Sequence, residues 1–214
     1  MNQEDCSQID QDSVVYVVDD DASICRAIGR LLKAHGNRTE IFSSADEFLK
    51  KVVFEHPSCL ILDVQMPGLD GLELQANLKR LNLTIPIIFL TAHGDIPMSV
   101  RAMKLGAADF ICKPFEASSL IQAVARALKQ DRETLKFRAE REKIEARMNT
   151  LTKREQEVMR YVIAGFLNKQ IATRLDAAEK TIKVHRGRVM QKMKAESLAD
   201  LVRMAERVNI VPAK

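Results

Sequence analysis

The chain has 214 residues, 46% of them hydrophobic and 29% charged, which suits one large domain or two small ones with separate cores. No apolar run reaches the roughly 18 residues that a membrane-spanning helix requires, and the polar, acidic residues 1–12 are unlike a secretory signal. We therefore expect a cytoplasmic protein with no membrane partner, whose four cysteines are free thiols: Cys6, Cys25, Cys59 and Cys112.

The net charge of +4 is unevenly distributed along the chain. Residues 151–214 contain 14 Lys and Arg against 7 Asp and Glu, a net charge of +7 that leaves −3 for residues 1–150. A basic C-terminal part of this kind predicts a polyanionic partner.

Between residues 13 and 128, short β-branched runs alternate with amphipathic segments. The predicted strands are Val14–Val18, Arg38–Phe42, Cys59–Leu62, Ile87–Leu90 and Ala108–Ile111. The helical segments between and after them lie near 22–35, 45–53, 71–81, 97–105 and 116–128. This alternation predicts an α/β fold with a five-stranded, doubly wound parallel sheet, for which the strand order 2-1-3-4-5 is one of two common solutions.

The strand signal ends near residue 128. Residues 129–149 contain no Pro or Gly and are rich in charge, which predicts a helical linker. A solvated spacer helix and the seam of a dimeric coiled coil both fit its thin apolar stripe, which consists of Leu128, Leu135, Ile144, Met148 and Leu151.

From Leu151 onward the sequence shows only helical segments, separated by short breaks, and predicts an all-α domain of four helices. The predicted organisation has four parts: a disordered acidic N-terminus over 1–12, an α/β domain over 13–128, a helical linker over 129–149 and the four-helix domain over 150–214.

Polar side chains follow four of the five predicted strands. Asp19–Asp21 follow the first strand, Asp63 the third, Thr91 the fourth and Lys113 the fifth. In an open parallel sheet, ligands bind beyond the carboxyl ends of the strands. Each residue alone has a structural explanation, as a helix cap, a solvated turn or a surface charge. Their joint position after four strands favours a single functional pocket.

Carboxylates that converge beside one lysine repel each other unless a cation lies among them, and an all-oxygen site on short loops suits Mg²⁺ or Mn²⁺. A divalent ion together with an ammonium group would neutralise a phosphoryl group during its transfer to a carboxylate, and a hydroxyl could bind a further oxygen. The pocket therefore predicts covalent phosphoryl chemistry at an aspartate.

Four stretches of this domain resemble the receiver domain of two-component response regulators, and the likeness spans the whole α/β domain. They are Val17–Asp21, Leu62–Gly68, Leu90–Ala92 and Ala108–Phe115. The resemblance implies that Asp63 is the phosphoacceptor. It implies a metal site built from Asp19, Asp20, Asp63 and the backbone carbonyl of Gln65.

By the same resemblance, Thr91 and Lys113 contact the phosphoryl oxygens, and the bond between Lys113 and Pro114 is cis. Phe110 falls at the position of an aromatic switch, and a plain core aromatic is an equally good interpretation of this residue.

The C-terminal domain contains two predicted helices across a tight turn, Lys169–Leu175 and Glu179–Met193. The second helix is rich in Lys and Arg, which predicts a helix-turn-helix with this helix in the major groove. Its apolar positions Ile182, Val189 and Met193 should pack inward and leave Lys183 and Val184 outside. A solvated amphipathic helix of a bundle is the structural alternative.

Three stretches of this domain resemble the LuxR-type domain of NarL/FixJ regulators, closest to the FixJ-like subgroup. They are Leu151–Glu155, Gly165–Ala172 and Lys180–Arg186. The resemblance implies base contacts from Lys183 and Val184. The other implied DNA-binding residues are Asn168, Lys169, Thr181, His185, Arg186 and Arg188.

Gly187 departs from the resemblance, because relatives often carry a larger side chain there, facing the groove. We expect one base contact fewer and a helix centre weaker by about 1 kcal/mol than with Ala.

Together these features predict a two-component response regulator with no turnover of an external substrate. A sensor histidine kinase phosphorylates Asp63, and the protein then dimerises and binds double-stranded promoter DNA to regulate transcription, with RNA polymerase as a further candidate partner. Two alternatives stay open. One is a phosphatase of the haloacid dehalogenase type, disfavoured because Gln65 stands where its second acid would be. The other is a C-terminal domain that binds protein without DNA.

Overall fold

The computed structural model describes residues 12–52, 56–92 and 96–214. They form two compact units, one up to Leu135 and the other from Lys136. The predicted disorder of residues 1–12 falls outside the described residues except for Asp12, which is exposed, and Cys6 also falls outside. Cys25, Cys59 and Cys112 are free thiols, as predicted. In the described part of the chain, no helix is long and apolar enough to cross a bilayer.

The first unit is built on a parallel sheet with the predicted strand order, β2-β1-β3-β4-β5. Its strands are β1 (Val14–Val18), β2 (Arg38–Phe42), β3 (Ser58–Asp63), β4 (Ile87–Thr91) and β5 (Asp109–Cys112). Strands β1, β3 and β4 are buried along their whole length because helices cover both faces of the sheet. In the register, Val18 lies beside Leu62 and Asp63 beside Leu90, so the carboxyl ends of these strands lie at one edge.

Helices pack on this sheet, and the first three begin at polar caps. The helices are α1 (Ala22–Ala34), α2 (Ala45–Lys51), α3 (Gly71–Arg80), α4 (Ile96–Lys104) and α5 (Ala117–Met148). Asp21 caps α1 by accepting hydrogen bonds from the backbone N–H groups of Ser23 and Ile24. Asp70 and Glu73 form a capping box at α3. These caps fix the helix starts close to the carboxyl ends of the strands.

Helix α5 joins the predicted helix near 116–128 and the predicted helical linker into one continuous helix. It continues to Met148, since no Pro or Gly interrupts it. Asp131, three residues beyond the predicted end, is buried, and its carboxylate accepts a hydrogen bond from the backbone N–H of Ser58 at 2.8 Å. The start of the predicted linker therefore packs against the first unit.

Three of the five residues of the apolar stripe are buried within the two units, whereas Leu135 is half-buried and lies in neither core. Leu128 is buried in the core beneath α1 and α5, and Ile144 and Leu151 are buried in the core of the second unit. These side chains are therefore not available for the seam of a coiled coil, and they are not solvated either.

The second unit contains the predicted all-α arrangement, α6 (Lys153–Ile163), α7 (Asn168–Arg174), α8 (Glu179–Met193) and α9 (Leu198–Arg207), together with the end of α5. Thr152 and Glu155 form a capping box at the start of α6. Gly165 adopts a φ of 85° just after this helix, a conformation that glycine takes without strain. As predicted, Ile182, Val189 and Met193 are fully buried.

Candidate functional site

The structure brings the predicted residues of the first unit together around Lys113. Its Nζ donates a hydrogen bond to Asp19 Oδ2 at 2.7 Å and another to Asp63 Oδ1 at 3.3 Å. Asp19 is held from its other side, where Oδ1 accepts from the backbone N–H of Asp21 at 2.8 Å. Strands β1, β3 and β5 thus place one ammonium group between two carboxylates.

Three carboxylates at this edge fit a divalent cation. One oxygen each from Asp19, Asp20 and Asp63 lies within 4.8 Å of the other two, with Asp19 and Asp63 buried and Asp20 exposed. Such a set of hard oxygen atoms with one solvent-facing member suits Mg²⁺, which binds through a few carboxylates and keeps several waters. Asp21 is not part of this group, because its side chain caps α1.

Burial and charge set the protonation of the pocket. Burial raises the pKa of the Asp63 carboxyl, the ammonium of Lys113 opposes this, and the charge of Asp19 adds to it. Burial alone would lower the pKa of Lys113, but its hydrogen bond to Asp19 and the charges of both carboxylates raise that pKa above its usual value. Lys113 therefore remains a cation at neutral pH.

Thr91 and Phe110 lie on neighbouring strands close to the pocket. Thr91 is fully buried at the end of β4, and its carbonyl accepts from the backbone N–H of Lys113 at 2.7 Å. The bond between Lys113 and Pro114 is cis, as predicted. Phe110 is half-buried, and its ring centroid lies 6.4 Å from that of Phe89 in the sheet.

In the second unit, the start of α8 presents the predicted base-reading residues to solvent. Lys183 is exposed and Val184 is 48% exposed, which is unusual for a large apolar side chain on a helix whose other face is buried. The exposed cationic and polar residues around them are Lys169, Lys180, Thr181 and Arg188. The cations of this surface can bind a polyanion, and Val184 can contact an apolar group of that polyanion.

Three further predicted residues are partly enclosed. Arg186 Nη1 donates to Asn168 Oδ1 at 3.3 Å, so α7 and α8 are tied together through two residues of the predicted DNA surface. His185 is half-buried, and its Nδ1 is buried without a hydrogen-bond partner among the described residues. Such an atom is costly unless it gains a partner.

Comparison with known proteins matches both units to families. The model for the response regulator receiver domain matches residues 15–125, and the model for bacterial regulatory proteins of the luxR family matches residues 149–205. The chain belongs to the response regulators. Its fold class, its receiver and its LuxR-type DNA-binding domain are those expected from the sequence.

Individual relatives align with this response regulator over most of its length. Nodulation protein W of Bradyrhizobium diazoefficiens is 48% identical over 198 residues, which is 92% of this chain and 87% of the relative. Transcriptional regulatory protein FixJ of Rhizobium meliloti is 42% identical over 91% of this chain and 95% of its own. The solved structure of response regulator StyR is 45% identical, has a TM-score of 0.82, and covers 92% of this chain and 99% of its own. The relatives are regulators, so the interpretation as a regulator rather than a phosphatase is confirmed.

One residue of the receiver site was not predicted from the sequence. Gly71, the first residue of α3, donates its backbone N–H to the Val64 carbonyl at 3.0 Å. A Cβ at this position would lie 2.3 Å from the backbone oxygen of Asp63. Because no Cβ is present, α3 can approach the backbone of β3 at Asp63. The dipeptide Asp70-Gly71 at a helix start was the available signal.

Lys192 has an internal role in the DNA-binding domain of this response regulator. Its Nζ donates to Glu155 Oε2 at 2.6 Å and to the Thr150 carbonyl at 2.9 Å, and the Glu155 side chain is only 2% exposed. Lys192 therefore links the far end of α8 to the start of α6. The hydrogen bond from Lys192, with that from the backbone of Thr152, lowers the pKa of Glu155 to about 2.

We expect Lys192→Met to lower the free energy of unfolding of this domain by about 2 kcal/mol at neutral pH, because a buried carboxylate loses its charged partner. The pKa of Glu155 is depressed from 4.5, so this stabilisation is present above pH 4.5 and is lost as the pH falls toward about 2. Hydrogen exchange of α6 amides in the full chain, measured at several pH values, gives the difference in the free energy of unfolding between parent and variant. A Lys194→Met variant, changed at an exposed residue, is the control, and an equal loss in both would contradict the role of Lys192.

Gly187 lies in the middle of α8, and a Cβ there would meet nothing within 4 Å. We expect Gly187→Ala to stabilise the DNA-binding domain by about 1 kcal/mol, because alanine loses less backbone entropy in a helix. Slower hydrogen exchange of the α8 amides would show this. Unchanged or faster exchange of these amides would contradict the expected stabilisation of α8.

Proposed function

We propose that this response regulator accepts a phosphoryl group on Asp63 from the phosphohistidine of a partner sensor histidine kinase. It then dimerises and binds double-stranded promoter DNA to regulate transcription. The observation that carries the proposal is the position of the Lys113 ammonium between the Asp19 and Asp63 carboxylates, at 2.7 and 3.3 Å.

The chemistry follows from these neighbours. An Asp63 carboxylate oxygen attacks phosphorus, the bond from phosphorus to the histidine nitrogen breaks, and the imidazole leaves and takes up a proton. Lys113 offsets the charge of the transferred group, and the Thr91 hydroxyl binds one of its oxygens. Mg²⁺ or Mn²⁺, held by Asp19, Asp20, Asp63 and the Gln65 carbonyl, supplies further charge neutralisation when bound. Asp19 orients Lys113 through its short hydrogen bond.

The signal then passes from Thr91 to the outer face of the receiver. Thr91 ends β4 and is paired with Cys112, which lies two residues beyond Phe110 on the adjacent strand β5. When Thr91 moves toward the phosphoryl group, the half-buried ring of Phe110 moves inward, and the surface formed by α4 and β5 changes shape. This change favours a dimer, which presents two reading helices to a two-fold DNA site.

On the DNA side, Lys183 and Val184 contact base edges, and a thymine methyl is a suitable partner for the exposed Val184. The surrounding residues bind the phosphate backbone: Asn168, Lys169, Thr181, His185, Arg186 and Arg188. The net charge of +7 over residues 151–214 supports this assignment. RNA polymerase is a further candidate partner for the DNA-bound dimer.

Selection of bound duplexes from a random DNA pool tests the proposal. We expect the full chain to enrich a two-fold symmetric sequence, with stronger enrichment after treatment with a small phosphodonor and Mg²⁺. Binding to an arbitrary duplex should weaken steeply with salt, because phosphate contacts release counterions. If no duplex binds at low salt in either state, the C-terminal domain binds protein instead and the DNA-binding part of the proposal fails.

A further inference from the structure

A basic groove lies between α1 and β2, on a part of the receiver that the phosphoryl chemistry does not use. Its volume is about 480 Å³. We call it the α1–β2 groove. The residues that matter here are four cations, Arg26, Arg30, Lys33 and Arg38, and the apolar pair Gly29 and Ile41.

The charge of this groove is largely uncompensated. None of its lining residues is acidic, and Arg38 pairs with Glu40 at 2.8 Å. Within the described ranges, Arg26, Arg30 and Lys33 form no ion pair; Arg26 donates to the Ser23 hydroxyl at 3.0 Å. Like charges at close range repel, so the groove favours an acidic occupant.

The groove also offers apolar surface and an open sheet edge. Ile41 is 45% exposed, although it is a large aliphatic residue on a strand. β2 is an end strand of the sheet and pairs with β1. An end strand presents backbone N–H and C=O groups that an added extended segment can pair with.

The first twelve residues of this chain have the matching chemistry. They contain Glu4, Asp5, Asp10 and Asp12 and no Lys or Arg. Ile9 adds an apolar side chain to this segment.

The segment also joins the sheet close to the α1–β2 groove. Val14, the first residue of β1, is the register partner of Arg38, and neighbouring strands lie about 4.8 Å apart. The segment therefore joins the sheet beside one end of the groove. Residues 1–11 can span up to about 36 Å when extended, whereas the five residues of β2 cover about 17 Å.

We propose that the acidic segment 1–12 binds the α1–β2 groove of its own chain, where its carboxylates neutralise the cationic side chains and its backbone covers the edge of β2. The bound segment closes an edge that would otherwise be open to pairing with other chains. Because salt screens these charges, the fraction of chains in which the segment covers α1 falls as the ionic strength rises.

The native cysteine of the segment provides the test. In a Cys112→Ser variant of the full chain, a nitroxide reagent should label Cys6 alone, because Cys25 and Cys59 are buried. The attached nitroxide should then broaden the NMR signals of the backbone amides of residues 29–41. Residues 109–112 at the other edge of the sheet should stay sharp. We expect the broadening of 29–41 to disappear at high salt and in the Arg30→Gln/Lys33→Gln double variant. A Lys79→Gln/Arg80→Gln double variant, which removes the same charge from exposed residues of α3, should retain it.

Exchanging the charges of the groove and the segment tests whether these two parts bind each other. Arg30→Glu/Lys33→Glu should abolish the broadening, and adding Glu4→Lys/Asp5→Lys in the same chain should restore it. The proposal is overturned if both edges of the sheet broaden equally, or if the combined exchange restores nothing. It is also overturned if broadening arises only between a nitroxide-labelled copy and a separate isotope-labelled copy, because the occupant is then the segment of a second molecule.

Discussion

Asp63→Asn is expected to abolish phosphorylation of the protein and with it the increase in DNA binding. The amide nitrogen and oxygen of asparagine cannot form the acyl phosphate, although the side chain has nearly the same volume and can still accept a hydrogen bond from Lys113. The variant should therefore fold normally. Incubation with a small radiolabelled phosphodonor and Mg²⁺, followed by denaturing electrophoresis, measures the covalent label directly.

The matched control for Asp63→Asn is Asp12→Asn, which makes the same chemical change at an exposed residue outside the pocket. The control should label as the parent does. If Asp63→Asn labels or dimerises like the parent, another residue is the phosphoacceptor. Lys113→Met is expected to fold and to label more slowly, because the transferred group loses its cationic neighbour.

Gly71→Ala is expected to damage both the stability and the phosphorylation of the receiver. The added Cβ would lie 2.3 Å from the backbone oxygen of Asp63 and 3.1 Å from Val64 Cα, and neither atom can move without moving the end of β3. We expect a loss of about 3 kcal/mol in the free energy of unfolding. Urea denaturation followed by circular dichroism gives this value, and the labelling assay gives the effect on the pocket.

The same substitution elsewhere provides the contrast. Gly187→Ala, in a helix with free space around it, is expected to be stabilising, whereas Gly71→Ala is expected to be destabilising. If Gly71→Ala unfolds at the parent's urea concentration and labels at the parent's rate, the close approach of α3 to Asp63 is not required for the site.

The sequence predicted the receiver pocket well because the sheet is parallel and its strand ends are easily read. Asp63 and Thr91 each terminate an apolar run, and the strand order brings those ends together. Gly71 was not predicted, because its importance depends on a distance between two backbones that no local pattern records. Its only local signal was its position directly after Asp70, the capping residue of α3.

Helix faces were predicted less completely than strand ends. The apolar positions of α8 were assigned correctly, but no internal role was predicted for Lys192. It lies next to the buried Met193 and reaches Glu155 on α6, a contact set by how two helices pack. The helical character of residues 129–149 was predicted, but the burial of Asp131 against Ser58 was not, because that contact joins segments far apart in the sequence.

The hydrogen bond between Asp131 and Ser58 determines where the receiver can be cut for separate study. A fragment that stops at residue 128 lacks this carboxylate and leaves the backbone N–H at the start of β3 without its charged acceptor. A fragment that stops at Leu135 keeps the bond and should be more stable by about 1–3 kcal/mol. Phosphorylation rates measured on the shorter fragment would come from a destabilised sheet. The fragment that ends at Leu135 therefore represents the receiver of the intact regulator better.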